Sequence, residues 1–258
     1  MKNTKIEWCH HTVNLWWGCS EVSEACKNCY ARRMVERFKI DCWGKSPRRF
    51  RIDEAYAEIE KLNKSAKKRG VIESVFINSM SDFFDYDVIL EIRLRTWQVL
   101  RKATNLQFLI LTKRARILNN HLSLYKSCIP ENVHFGITAE NQQRLDERIA
   151  ELSDFKGKLF LSCEPLLNQI DLRPYLDKID WVICGGETGR NAREFYPIWG
   201  QYLFEQTHNW NDYKREWEIE IPFFFKKFGT HAVVGKYEAW YFSTRREYPE
   251  WHSKGGAK

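Results

Sequence analysis

The stretch CSEVSEACKNCY, residues 19–30, sets three thiols, Cys19, Cys26 and Cys29, in a C-x6-C-x2-C spacing. Thiols this close suit a structural zinc site, an iron–sulfur cluster, or no ligand at all. Structural zinc takes four ligands in a tetrahedron, so that reading must recruit a fourth, for which His10 and His11 are the candidates. A cubane cluster held by three cysteines leaves one iron open to a substrate or cofactor and needs no fourth residue. The loop leads into a helical pattern, whose first amides near Cys26 and Cys29 can offset a cluster's negative charge. On spacing alone all three alternatives stay open.

The remaining cysteines, Cys9, Cys42, Cys128, Cys163 and Cys184, are scattered. The opening MKNTKIEWCHHTVN has no apolar signal core, and no apolar run approaches the roughly 20 residues that cross a bilayer. A cytoplasmic protein without membrane contact is expected. In that reducing compartment eight cysteines read as thiols or metal ligands, not as disulfides.

The elements that must hold the thiols follow from apolar patterning. Short apolar runs at 14–17, 75–79, 106–112, 133–138, 158–162 and 181–186 alternate with amphipathic segments. Continuous apolarity predicts strands covered on both faces, as in a parallel sheet. Helices are predicted around Ala31–Phe38, Ile52–Ala66, Val88–Leu100 and Leu145–Leu152. About six β–α repeats favour a barrel, or part of one, over an open doubly wound sheet. The 258 residues suit one domain, 1–258, with a basic helical insertion at about 41–70 and a C-terminal extension at about 210–258. Within the extension, 221–228 reads as a further strand and 236–242 as a possible last one.

Parallel α/β folds bind ligands at the carboxyl ends of their strands. The residues there are polar: Gly18 and Cys19, then Ser79, Ser81 and Asp82, then Lys113 and Arg114, Glu140 and Asn141, Glu164, and Glu187. Together they form a charged bowl with thiols on its rim.

The segments IEWCHHTVNLWWGCSEVSEACKNCYA, FINSMSDFFD, LILTKRARIL, VHFGITAENQQRLDERI, FLSCEPLL, WVICGGETGRNAR and PFFFKKFG occur in order along nearly the whole chain. In this set the chain resembles the phage and prophage three-cysteine-motif proteins, which are related to radical S-adenosylmethionine (SAM) enzymes and similar in layout to the spore photoproduct lyases. The resemblance implies a partial TIM-type (β/α)6-like radical SAM barrel with extra C-terminal strands. It implies a [4Fe-4S] cluster on Cys19, Cys26 and Cys29, although the commonest radical SAM spacing is C-x3-C-x2-C. It also implies SAM as cofactor, cleaved reductively to a 5′-deoxyadenosyl radical that takes a hydrogen atom from substrate. Lyase, isomerase and transferase outcomes are all compatible with it. Cys9, Cys163 and Cys184 are then expected to be buried and inert.

Residue roles follow from the same resemblance. The segment with Ser79, Ser81 and Asp82 receives the methionine amino group, with Asp82 as its contact or alternatively as a helix N-cap. Arg148 pairs with the methionine carboxylate or with a helical neighbour. Thr138, Glu140 and Asn141 bond the ribose hydroxyls, and Lys113 reaches into the bowl or into solvent. Glu164 and Glu187 face substrate or adenosine, or else accept loop amides.

A formal net charge of +7 suits a polyanionic partner. WGKSPRRFRI sets Lys45, Arg48, Arg49 and Arg51 beside Trp43 and Phe50, a combination suited to phosphate contact and base stacking. KSAKKRG reads as the exposed end of a helix. The phage setting implies a nucleic-acid base or nucleotide as substrate, for hypermodification or repair in the host cytoplasm, with a duplex base flipped out to react. An electron donor of the flavodoxin or ferredoxin type is implied, and a partner protein is possible. The rival reading is a non-catalytic nucleic-acid-binding protein with a Cys/His zinc site.

Overall fold

Apolar strands with no polar face can be satisfied only between two layers, and this chain supplies both. A computed structural model describes residues 4–45, 48–157, 159–211, 216–233 and 241–254. In chain order the elements are β1 (His11–Val13), β2 (Trp16–Trp17), α1 (Tyr30–Arg37), β3 (Phe50–Arg51), α2 (Ala55–Arg69), β4 (Glu73–Ile77), α3 (Leu90–Lys102) and β5 (Leu106–Thr112). Then follow α4 (Ala115–Tyr125), β6 (Val133–Thr138), α5 (Gln142–Ala150), β7 (Leu159–Cys163), β8 (Ile179–Gly185), β9 (Glu194–Phe195) and α6 (Pro197–Thr207). The last are β10 (His208–Asn211), β11 (Glu216–Glu220), β12 (Phe223–Lys227) and β13 (His231–Ala232).

Seven strands form one parallel sheet in the order β1-β4-β5-β6-β7-β8-β12. The order never reverses. With right-handed crossovers, a monotonic order places every connecting helix on one face, and the sheet curls into part of a barrel instead of a doubly wound layer. That outer face is the main core, in which Ile59, Trp97, Leu118, Leu145 and Leu203 of the helices meet Val75, Phe108, Ile110, Ile137, Leu161 and Val182. Alternate residues Phe76, Leu109, Phe160, Trp181, Ile183 and Phe224 turn inward and pack with Trp8. A Cβ at Gly136 would lie 2.3 Å from the Phe160 ring, so only glycine lets that ring fill the barrel interior there.

Two departures from the sequence reading have simple causes. The first sheet strand is His11–Val13, not residues 14–17, because Trp16 and Trp17 leave the sheet to pair antiparallel with Arg51 and Phe50. Helix α4 escaped the pattern because its buried face includes Asn119 and His121, which break the apolar period. Most of the suggested strand at 236–242 lies outside the described residues, and Tyr241–Thr244 is a 3-10 turn.

Candidate functional site

The inward residues at the carboxyl ends of the strands are polar, and they open on one cavity. Asn78, Lys113, Thr138, Ser162, Glu164 and Lys226 line it above a floor of Trp8, Phe76 and Leu111. The three cysteines of the first loop line its rim, and the bowl encloses about 1160 Å³, mouth included.

The cysteine loop is stapled at several points. Gly18 adopts φ +102, and a Cβ there would meet the Cys42 carbonyl oxygen at 2.1 Å, so glycine is required where the chain turns into Cys19. Behind it, the buried Arg114 guanidinium donates to Ser20 O at 2.9 Å, Ser20 Oγ at 2.8 Å and Asp85 at 3.0 Å. Arg114 also pairs with Asp82 at 3.0 Å and donates to Cys19 Sγ at 3.4 Å. Burial pushes the Cys19 thiol up to about 12, with the Arg114 charge pulling against it. Further along, Glu24 accepts from Arg144 at 2.9 Å and from Asn141, and its carbonyl accepts from Arg193 at 3.0 Å. Asn28 donates to Glu187 at 2.9 Å, and Cys29 occupies the N-cap position of α1.

Among the described residues no three His, Cys, Asp or Glu side chains converge as they would around a single ion. The histidines considered as fourth zinc ligands are engaged at the opposite end of the sheet: His11 Nε2 lies 3.0 Å from Glu73, and His10 Nδ1 lies 2.8 Å from Ser74 Oγ. An iron–sulfur cubane asks only for three thiols on one cavity, and this donor set fits it. Unpartnered buried atoms also fit a polar ligand beside the thiols: Asn78 Nδ2, Thr138 Oγ1 and Trp43 Nε1 lack hydrogen-bond partners, and all three residues line the bowl.

The remaining expected residues divide. Ser79, Ser81, Asp82, Lys113, Thr138, Glu164 and Glu187 line the bowl. Asp82 is already saturated, because it accepts from Phe84 N, Thr112 Oγ1 and Lys113 N at 2.9, 2.7 and 3.0 Å besides pairing with Arg114. Glu187 is held by Arg193 and Asn28. Glu164 takes both its bonds from Lys226, at 2.6 and 2.9 Å. The Lys113 ammonium is half-buried and has no acceptor within reach among the described residues. Glu140, Asn141 and Arg148, by contrast, do not line the cavity. Arg148 pairs with Glu140 at 2.5 Å and donates to Thr138 O at 2.6 Å, while Asn141 Oδ1 caps α5 by accepting from Arg144 N at 3.0 Å. Arg49, read as a phosphate contact, is buried against Asp85 and Asp87. The residues missed from sequence, Asn78, Ser162 and Lys226, carried a usable signal, because each keeps the two-residue inward step of its strand.

Burial alone would raise the Glu140 carboxyl, but the Arg148 bonds and charge hold it at about 2. Its contribution to stability is therefore complete above the ordinary value near 4.5 and disappears as pH falls toward 2. Glu140→Gln should cost about 2–3 kcal/mol at neutral pH, with the gap to wild type closing below pH ~4 in thermal melts.

A parallel half-barrel of α/β type with a thiol-rimmed bowl at its carboxyl ends is the class that fold and site define. A family model described as "Protein of unknown function (DUF5131)" matches residues 3–250, and the chain belongs to that family. Among solved structures it is similar to a spore photoproduct lyase double mutant with bound AdoMet and dinucleoside spore photoproduct, at 13% identity and TM-score 0.48, over 71% of this chain and 57% of that one. A single mutant of spore photoproduct lyase gives 13% identity and TM-score 0.49, over 75% and 58%. The chain thus covers less than two thirds of the solved structures it matches. No curated protein matches it. No helix among the described residues is long and apolar enough to cross a membrane.

Proposed function

We propose that this chain is a radical SAM enzyme acting on a nucleic-acid base or nucleotide. The observation that carries the reading is one cavity shared by three loop thiols and by the unpartnered Lys113, Thr138 Oγ1 and Asn78 Nδ2. Cys19, Cys26 and Cys29 would hold the [4Fe-4S] cluster, and the N-terminus of α1 at Cys29 favours its negative charge. The bound cluster and SAM supply one-electron cleavage of the sulfonium and hydrogen abstraction from substrate, which requires a one-electron donor of the flavodoxin or ferredoxin type. Lys113 binds the carboxylate of the ligand, and Thr138 and Asn78 take its remaining polar groups. The Lys226 ammonium fixes Glu164 toward the substrate side. Trp8, Phe76 and Leu111 keep water from the floor.

The test is anaerobic purification with metal analysis, then incubation with SAM and reductant. About four irons per chain and release of 5′-deoxyadenosine support the proposal. A colourless zinc protein that ignores SAM overturns it. Because Lys113 makes no side-chain bond to the protein, Lys113→Met should weaken SAM binding about tenfold or more by calorimetry, with the melting temperature unchanged.

A further inference from the structure

Beside the bowl, three aromatic rings stand where water reaches them. Phe38, just past α1, is 58% exposed, and Phe50 on β3 is 46% exposed. Both lean on Trp17, with ring centroids 5.9 and 6.2 Å away and interplanar angles of 32° and 48°. Trp17 packs in one small apolar cluster with Trp43 and Cys29, and those two residues line the bowl. The rings therefore form a ledge that continues the cavity wall outward.

The ledge is strongly basic. Residues 37–51 hold six cations, Arg37, Lys39, Lys45, Arg48, Arg49 and Arg51, against one acid, Asp41. Arg49 is consumed in its pairs with Asp85 and Asp87, which tie the segment to the barrel. Arg48, Arg51 and Lys39 are exposed and make no ion pair among the described residues. Nucleobases stack on exposed rings while phosphates meet the cations.

We propose that Trp17, Phe38 and Phe50, with Lys39, Arg48 and Arg51, form a track for single-stranded nucleic acid leading to the bowl. A duplex hides its base faces, so the rings select unpaired strands. This deepens the function proposed above and rests on it for the purpose of the track, although binding itself requires neither cluster nor SAM.

The test uses the full chain and a fluorescein-labelled oligothymidylate of about 20 nucleotides, followed by anisotropy at several salt concentrations. A duplex of the same length and a polyglutamate peptide serve as competitors. Tight, salt-dependent binding of the single strand is expected, with both competitors weaker. Arg48→Ala with Arg51→Ala should flatten the log–log salt slope by about 1.4, at ~0.7 per phosphate. Phe38→Ala with Phe50→Ala should weaken binding about tenfold or more and leave that slope unchanged. Lys67→Ala with Lys68→Ala, exposed at the end of α2, should change neither. No binding by wild type, equal binding of duplex or peptide, or ledge variants that bind like wild type would each overturn the track. An iron-free chain that ignores SAM yet keeps ledge-dependent binding would sink the enzymatic reading alone. A SAM-cleaving chain with ledge-independent binding would sink only the track.

Discussion

Cys26→Ala removes iron and visible colour from the anaerobically reconstituted protein while its melting temperature stays within about 2–4 °C of wild type, a shift worth ~1 kcal/mol at this chain length. The loss is complete because the loop offers no replacement thiol: Cys42, the next cysteine after the motif, is buried behind Cys29 in the same small apolar cluster and does not line the bowl. The fold survives because the loop does not depend on its sulfurs for position. Arg144 and Arg193 hold Glu24, Glu187 holds Asn28, and Arg114 holds Ser20. Among the described residues Cys26 Sγ has only Ser23 Oγ, at 4.0 Å, as a hydrogen-bonding neighbour. A structural zinc site behaves oppositely, since its binding energy is folding energy. Metal analysis and a melt on one sample separate the two, and a variant that unfolds, or keeps its iron, refutes the cluster assignment.

Legibility differed between backbone and site for physical reasons. Strands β5 and β6 stand out at their observed bounds because Leu106–Thr112 and Val133–Thr138 are apolar runs between turn residues. β1 does not, because His11–Val13 enters the sheet by backbone pairing with Val75–Ile77 and not by apolarity. At the site, proximity to a strand end was a coarse guide. It found Cys19, Lys113, Glu164 and Glu187, yet also gathered Glu140 and Asn141, while the family resemblance added Thr138, which lines the bowl, and Arg148, which turns away with Glu140 and Asn141 once the chain leaves β6 for α5. Inward parity is the sharper rule. Along β6 it runs His134, Gly136 and Thr138, with a stacking partner for His134, a ring-sized gap at Gly136 and an orphaned hydroxyl at Thr138. What no local pattern could reveal is pairing at a distance. Arg114 meets Asp85 across 29 residues and Asn28 meets Glu187 across 159, and both contacts exist only once the sheet has curled.

Asp85→Asn tests that long-range order most severely. The fully buried carboxylate accepts from Arg49 at 2.9 Å, Arg114 at 3.0 Å, Ser20 N at 3.1 Å and Asp87 N at 3.0 Å. Asparagine removes the carboxylate shared by Arg49 and Arg114, residues only 6% and 4% exposed, and leaves each with a single acidic partner, Asp87 and Asp82 respectively, so about 3–5 kcal/mol of stability should be lost. Burial pushes the Asp85 carboxyl up, but Arg114, the Asp87 amide and Arg49 outweigh it and leave it below the ordinary carboxylate value. Its stabilisation is therefore present above that ordinary value of about 4 and fades as pH falls further. Thermal melts of wild type and variant should lie furthest apart near neutrality and draw together in acid. Asp85 and Arg114 share one buried ion pair, so adding Arg114→Met to Asp85→Asn loses that pair only once, and the double variant should be less unstable than the two single losses combined, by about 0.5–3 kcal/mol. Strict additivity would mean that Asp85 and Arg114 stabilise the loop separately, and the cysteine loop would then have no shared buried anchor.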